Sequence, residues 1–141
     1  NVLLKMVDED TRAFNNIMDA FGLANGTPEE KAARKMAIQA ATLHAIETPF
    51  RVMQLAYESM EVIHSMAEKG NPNSVSDAGV GALCARTAVM GAWLNVKINC
   101  AGYDDKTYVE RVLNSCDELV EKTNRKEAEI LSIVHAVIAG S

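Results

Sequence analysis

Positive charge is in deficit, and this limits the partners first. Lys and Arg number 14 against 19 Asp and Glu, a net charge of −5, so the chain has no electrostatic footprint for phosphate backbones or anionic lipid. Nucleic acid and membrane surfaces are not expected partners. No apolar run approaches the roughly 20 residues a bilayer crossing needs, and the first residues show no basic-then-apolar signal pattern. The expected compartment is the cytoplasm. Cysteine is limited to Cys84, Cys100 and Cys116, an odd number, widely spaced and without a CxxC pair. They read as reduced core or interface residues rather than disulfide partners. His44, His64 and His135 do not pair at a ligand spacing, so no metal is expected. Aromatics are 5% of the chain, prolines are confined to Pro28, Pro49 and Pro72, and no alternating strand pattern or repeat occurs. Helices are what remain.

The abundance of Ala, Met, Leu, Glu and Lys agrees with that. At 141 residues, 48% hydrophobic and 23% charged, the chain 1–141 reads as one domain with one core. Leu3, Val7, Phe14, Ile17 and Phe21 form a stripe at helical spacing, so a first helix spans 2–21 with that stripe turned to the core. Gly22, Asn25 and Gly26 end it. Thr27-Pro28-Glu29-Glu30 then supplies an N-cap, a proline at the first helical position and a capping-box glutamate. The second helix is predicted to stop near Glu47, with Thr48-Pro49 opening a third that carries Met53, Ala56, Met60, Ile63 and Ala67 and ends at Gly70. Ser76 is predicted to cap a fourth helix reaching about Ala101, and a fifth runs from about Asp105 to Ala139. Its polar middle, Glu121 to Glu129, points to solvent or to ionic contacts. The expected fold is all-α, an antiparallel bundle of about five long helices. Stripes sustained over such lengths point to apolar surface buried against a second subunit.

Three features bear on chemistry. Asp10 falls on the apolar stripe of the first helix, where a carboxylate is either a structural acid bonded to a neighbouring element or a proton carrier. The stretch Asn71 to Ala82 is a polar loop running into a glycine-bearing helix start. Ser76, Asp77, Gly79 and Gly81 there suit either close approach of a flat ligand or close packing of another helix; the small stripe Gly81, Ala85, Ala88, Ala92 favours packing. No GxGxxG fingerprint is present. Asn95 and Asn99 end that stripe and need partners, across a subunit interface or around a polar cavity.

Val7-Asp8-Glu9-Asp10 with Ala13-Phe14, then Gly26-Thr27-Pro28-Glu29-Glu30-Lys31, Gly70-Asn71, Ser76-Asp77-Ala78-Gly79-Val80-Gly81-Ala82 and Asn95-Val96-Lys97-Ile98-Asn99 resemble, in order and spacing, the cyclodeaminase/cyclohydrolase family. The resemblance covers essentially the whole chain. It implies an all-helical domain that dimerises, or assembles further, with a folate site at or near the subunit interface, and in some members an attached formiminotransferase domain. It implies that Asp10 is the catalytic acid/base, with Asn71, Ser76, Asp77, Gly79, Gly81, Asn95 and Asn99 as candidate substrate contacts. The implied reaction cyclises 5-formiminotetrahydrofolate to 5,10-methenyltetrahydrofolate with loss of ammonia; the alternative is hydrolysis of the methenyl bridge. The tetrahydrofolate is the substrate, and no metal or redox cofactor is implied. Family domains begin about two helices earlier, in a glycine- and serine-rich stretch absent here, and this chain starts at Asn1 rather than Met. A piece of a longer protein, weak or inactive alone, is the expectation. The reading from another class is a non-catalytic helical dimerisation module.

Overall fold

A computed structural model describes residues 2–140 of the chain as four long helices: α1, Val2–Phe21; α2, Pro28–Lys69; α3, Val75–Cys100; and α4, Lys106–Gly140, with one 3₁₀ turn at Pro72–Ser74. No strand occurs among the described residues. The fold is all-α, with four helices rather than the expected five.

The difference lies at Pro49, which is buried inside a continuous α2 of 42 residues. A proline removes one backbone donor and crowds the carbonyl four residues earlier, which is why a helix boundary was expected there. Here the helix runs on because its apolar face does not break: Ala45, Ile46, Met53, Ala56 and Met60 are all buried, and packing outweighs the lost hydrogen bond. Thr48 also turns its hydroxyl onto the His44 carbonyl at 3.0 Å. The start of α2 is as the motif dictates. Glu30 N–H donates to Thr27 Oγ1 at 3.2 Å, while Gly26 and Thr27 N–H donate to Glu30 Oε2 at 2.8 and 3.0 Å. Such a cap stabilises a helix by about 1 kcal/mol.

At about 1.5 Å per residue α2 is about 63 Å long, and the other helices arrange themselves along it. Its second half joins α3 and α4 in a three-helix bundle with α3 antiparallel to both. One core cluster is built on Ile46, Met53, Val89, Val96 and Cys116, the other on Met60, Ala82, Ile130 and Val134. Around the buried Thr123 the expected polar middle of α4 finds ionic partners: Arg86 meets Glu127 at 3.2 Å, and Lys126 meets Glu61 at 3.0 Å. The first half of α2 projects beyond this bundle and carries α1 antiparallel to it. Gln39 pins the α3–α4 loop to that half, donating to the Gly102 carbonyl at 3.0 Å and accepting from Asp104 N–H at 2.8 Å. Arg34 holds the Phe21 carbonyl at the end of α1 at 2.9 Å.

Helix α1 turns a different face inward from the one expected. Met6, Ala13 and Ala20 are buried, one residue every seventh position, whereas Val7 is 64% and Phe14 62% exposed. Leu3 and Phe21 are also exposed. Alanine at the seam lets α1 approach α2 closely, which the larger side chains would prevent, so the bulky stripe is left on the outside except at Ile17, which is half-buried. A second correction concerns α3, whose N-cap is Ser74 and not Ser76. Asn71 Oδ1 accepts the Asn73 N–H at 3.1 Å and starts a 3₁₀ turn through Pro72 that merges into α3. The helix therefore begins at Val75, and Ser76 is already inside it.

Candidate active site

Asp10 stands on α1 at the edge of a groove of about 440 Å³. Leu3, Met6, Val7 and Thr11 line it from the same helix, Pro49 and Val52 from α2, and Ala88, Ala92 and Asn95 from α3. Each position follows from local structure. The seven-residue seam of α1 buries Met6 on α2, so Asp10, one turn further, rises over the groove with its carboxylate in solvent. Thr11 is oriented by its hydroxyl bond to the Val7 carbonyl at 3.1 Å. On α3, Ala88, Ala92 and Asn95 recur at helical spacing, with Ala92 buried and Asn95 exposed. The result is an apolar trough bearing one carboxylate and one primary amide, which suits a flat, partly polar ligand that needs a proton moved at one edge. Asp10 does not lie in the core. It is exposed because α1 is rolled so that Met6, Ala13 and Ala20 face inward.

The glycine-bearing start of α3 lies elsewhere. The helical rise puts Ser76 about 28 Å from Asn95. Gly79 is buried, and a Cβ there would stand 3.3 Å from Val134 Cγ1 and 3.7 Å from Leu131 Cδ2 of α4. At Gly81 a Cβ would meet the Ile63 side chain of α2 at 3.6 Å. Gly79 therefore stands at a close helix–helix approach, whereas a Cβ at Gly81 would make only an ordinary contact. Asn71, Ser76 and Asp77 beside them are exposed. Of the two amides on α3, Asn95 reaches the groove, whereas Asn99 is half-buried and donates from Nδ2 to the Ala45 carbonyl at 2.8 Å. The structure therefore brings together Asp10 and Asn95 and separates both from Asn71, Ser76, Asp77, Gly79 and Gly81. Among the described residues no three His, Cys, Asp or Glu side chains converge as a metal site would require, and no helix is long and apolar enough to cross a membrane.

Comparison with known proteins places this groove in context. A sequence model described as formiminotransferase-cyclodeaminase matches residues 1–118. The chain belongs to that family. It is 35% identical over 136 residues to the methenyltetrahydrofolate cyclohydrolase of Methylorubrum extorquens, spanning 96% of this chain and 65% of that protein. It is 32% identical over 132 residues to the formimidoyltransferase-cyclodeaminase of Gallus gallus, spanning 94% of this chain and 24% of that protein. The fold matches the crystal structure of formiminotetrahydrofolate cyclodeaminase from Thermotoga maritima with a TM-score of 0.81, at 20% identity, over 96% of this chain and 64% of that one. The chain thus spans just under two thirds of the first relative's length and about a quarter of the second's.

Every groove residue lies within the stretch that matches the formiminotransferase-cyclodeaminase family, as do Asn71, Ser76, Asp77, Gly79 and Gly81 at the start of α3. Sequence reasoning passed over the apolar walls, Pro49, Val52, Ala88 and Ala92. In the sequence Pro49 marks a helix boundary, and Ala88 and Ala92 belong to a small stripe that favours packing. The recurrence of Met6, Ala13 and Ala20 competes on α1 with that of the larger side chains; its burial sets the roll of the helix and so the direction of Asp10.

Proposed function

We propose that the groove of this formiminotransferase-cyclodeaminase family member acts on the one-carbon unit of a tetrahydrofolate, closing 5-formiminotetrahydrofolate to 5,10-methenyltetrahydrofolate with release of ammonia. The observation that carries this reading is the carboxylate of Asp10 and the amide of Asn95 lining one apolar groove. In the reaction the formimino group enters as its protonated, amidinium form; N10 attacks its carbon, a base removes the N10 proton, and that proton is delivered to the resulting –NH2, which leaves as ammonia as the methenyl cation forms. One carboxyl does both in sequence, since the proton it takes is the proton it gives. Asp10 has that role. Asn95 orients polar edges of the substrate, and Pro49, Val52, Ala88 and Ala92 pack against its flat part. The folate carries the carbon as substrate, and the steps as written call for no metal or redox cofactor.

A homodimer belongs to the same reading. The exposed apolar side chains of α1, with Leu83, Leu94 and Ile98 on α3, exceed the scattered apolar exposure normal for a monomer. Asn71, Ser76 and Asp77 stand apart from Asp10 within one chain, and we assign them to a folate held near a subunit interface. The second reaction, hydrolysis of the methenyl bridge, is favoured by the 35% identity to a protein named as a cyclohydrolase.

The experiment measures ammonia release and methenyl-folate absorbance with the protein at its native length, beside an Asp10→Asn variant. Ammonia release is expected to be faster than hydrolysis, and the variant should lose on the order of 10²–10⁴ in turnover. Its melting temperature should hold, because an exposed side chain changed at nearly constant volume costs under about 0.5 kcal/mol. Faster hydrolysis would move the assignment to the cyclohydrolase reaction. Near-normal turnover in the variant would remove Asp10 from the mechanism, and no response to folate in a binding titration would leave a helical dimerisation module.

A further inference from the structure

In an α-helix the carbonyl of residue 45 accepts from the N–H of residue 49, and here residue 49 is a proline with no N–H to give. The proline ring also crowds that carbonyl and turns it away from the helix axis. Ala45, Thr48 and Pro49 are all buried, so water is poorly placed to serve as the missing donor. The neighbouring Thr48 hydroxyl is committed to His44. The donor that reaches the Ala45 carbonyl comes from another helix: Asn99 Nδ2, at 2.8 Å, from the last turn of α3.

The bond lies one helical turn along α2 from Pro49 and one turn along α3 from Asn95, both of which line the candidate groove. Pro49 and Val52 form the α2 wall of that groove, and Ala92 and Asn95 form the α3 wall. Asn95 and Asn99 are four residues apart and share one face of α3; one lines the groove, and the other ties α3 to α2 one turn further along. Asn99 itself does not line the groove.

We infer that Asn99 is a positioning residue for this groove: its amide replaces the hydrogen bond that Pro49 cannot donate, and so holds the Pro49–Val52 wall of α2 at a set distance from α3. The inference rests on the reading of the groove as the folate site. Asn99 acts through α2 and touches no substrate, so its effect must depend on the proline. Replacing Pro49 by a residue with an N–H returns the donor to the helix and makes the Asn99 bond redundant.

The test is a double-mutant cycle on the protein at its native length, with Asn99→Ala, Pro49→Ala and the pair, read by steady-state kinetics on both folates and by thermal melting. In the Pro49 background Asn99→Ala is expected to lower kcat/KM about tenfold, mainly by raising KM, since a carbonyl loses its donor and the wall shifts. In the Pro49→Ala background the same change should move kcat/KM by less than about twofold. An equal loss in both backgrounds would show that Asn99 acts on substrate directly. A lowered melting temperature with KM and kcat unmoved would reduce it to a structural contact. Either result overturns the inference. If Asn99→Ala alone fails to fold, the double variant, which does not need the bond, should fold; its failure also overturns the inference. If the wild-type protein turns over neither folate, the functional reading has failed, and positioning is read instead from the methyl NMR signals of Val52. Those signals should shift in Asn99→Ala and return in the double variant, and signals that stay put would refute the coupling.

Discussion

Replacing Gly79 by valine decides between the two readings of the α3 helix start. A Cβ at this position would stand 3.3 Å from Val134 Cγ1, tighter than an ordinary van der Waals contact. Val134 is itself 4% exposed and has little room to yield. Alanine alone gains about 1 kcal/mol of helix propensity over glycine, which offsets the small displacement of Val134 and leaves Gly79→Ala close to neutral. Valine adds two methyl groups to the same contact, and overpacking of this kind costs about 1–3 kcal/mol. At roughly 4 °C per kcal/mol for a chain of this size, Gly79→Val should lower the melting temperature by several degrees. Gly91 is the internal control, because a Cβ there meets nothing within 4 Å, so Gly91→Ala should stabilise by up to about 1 kcal/mol. Denaturant unfolding with circular dichroism detection, run beside a folate titration, measures both sides of the question. A Gly79→Val protein of undiminished stability that had lost folate affinity would refute the packing argument and make the helix start a ligand site.

The cysteines give a second expectation. Burial pushes the Cys116 thiol up to about 12 and also raises that of Cys100, while Cys84 is exposed. Near pH 8 the native protein should therefore take up a thiol reagent at Cys84 and spare the other two until denaturant is added; rapid loss of all three native thiols would contradict the buried core. Because the folded thiols ionise later than the unfolded ones, this contribution is fully present below the ordinary value of 9.0 and is lost as pH rises from there toward about 12. Alkaline melting curves should show that decline. The outer apolar face of α1 leads to a third expectation, a homodimer in sedimentation velocity that weakens when Val7 and Phe14 are changed together to serine. A concentration-independent, well-folded monomer would count against it.

Much of the fold was legible because its determinants are local. The Thr27–Glu30 capping box sets the start of α2 through atoms within four residues of each other, and the 3.6-residue recurrence of Met53, Ala56, Met60 and Ala67 marks a buried face wherever the rest of the chain lies. Even the family of the chain could be read from short motifs in order. What the sequence could not determine is which of two apolar stripes on α1 packs inward. That depends on how closely two helices can approach, and an Ala seam at 13 and 20 prevails over larger side chains only when a partner helix with its own small residues, such as Ala37 and Ala41, is already in place. The direction of Asp10 follows from that choice. The same holds at Pro49. Its local chemistry calls for a break, and α2 continues because its apolar face is packed along α3 and α4; the Ala45 carbonyl left without its helical donor is met by Asn99, fifty residues after Pro49, a partnership that exists only after α3 has folded back along α2.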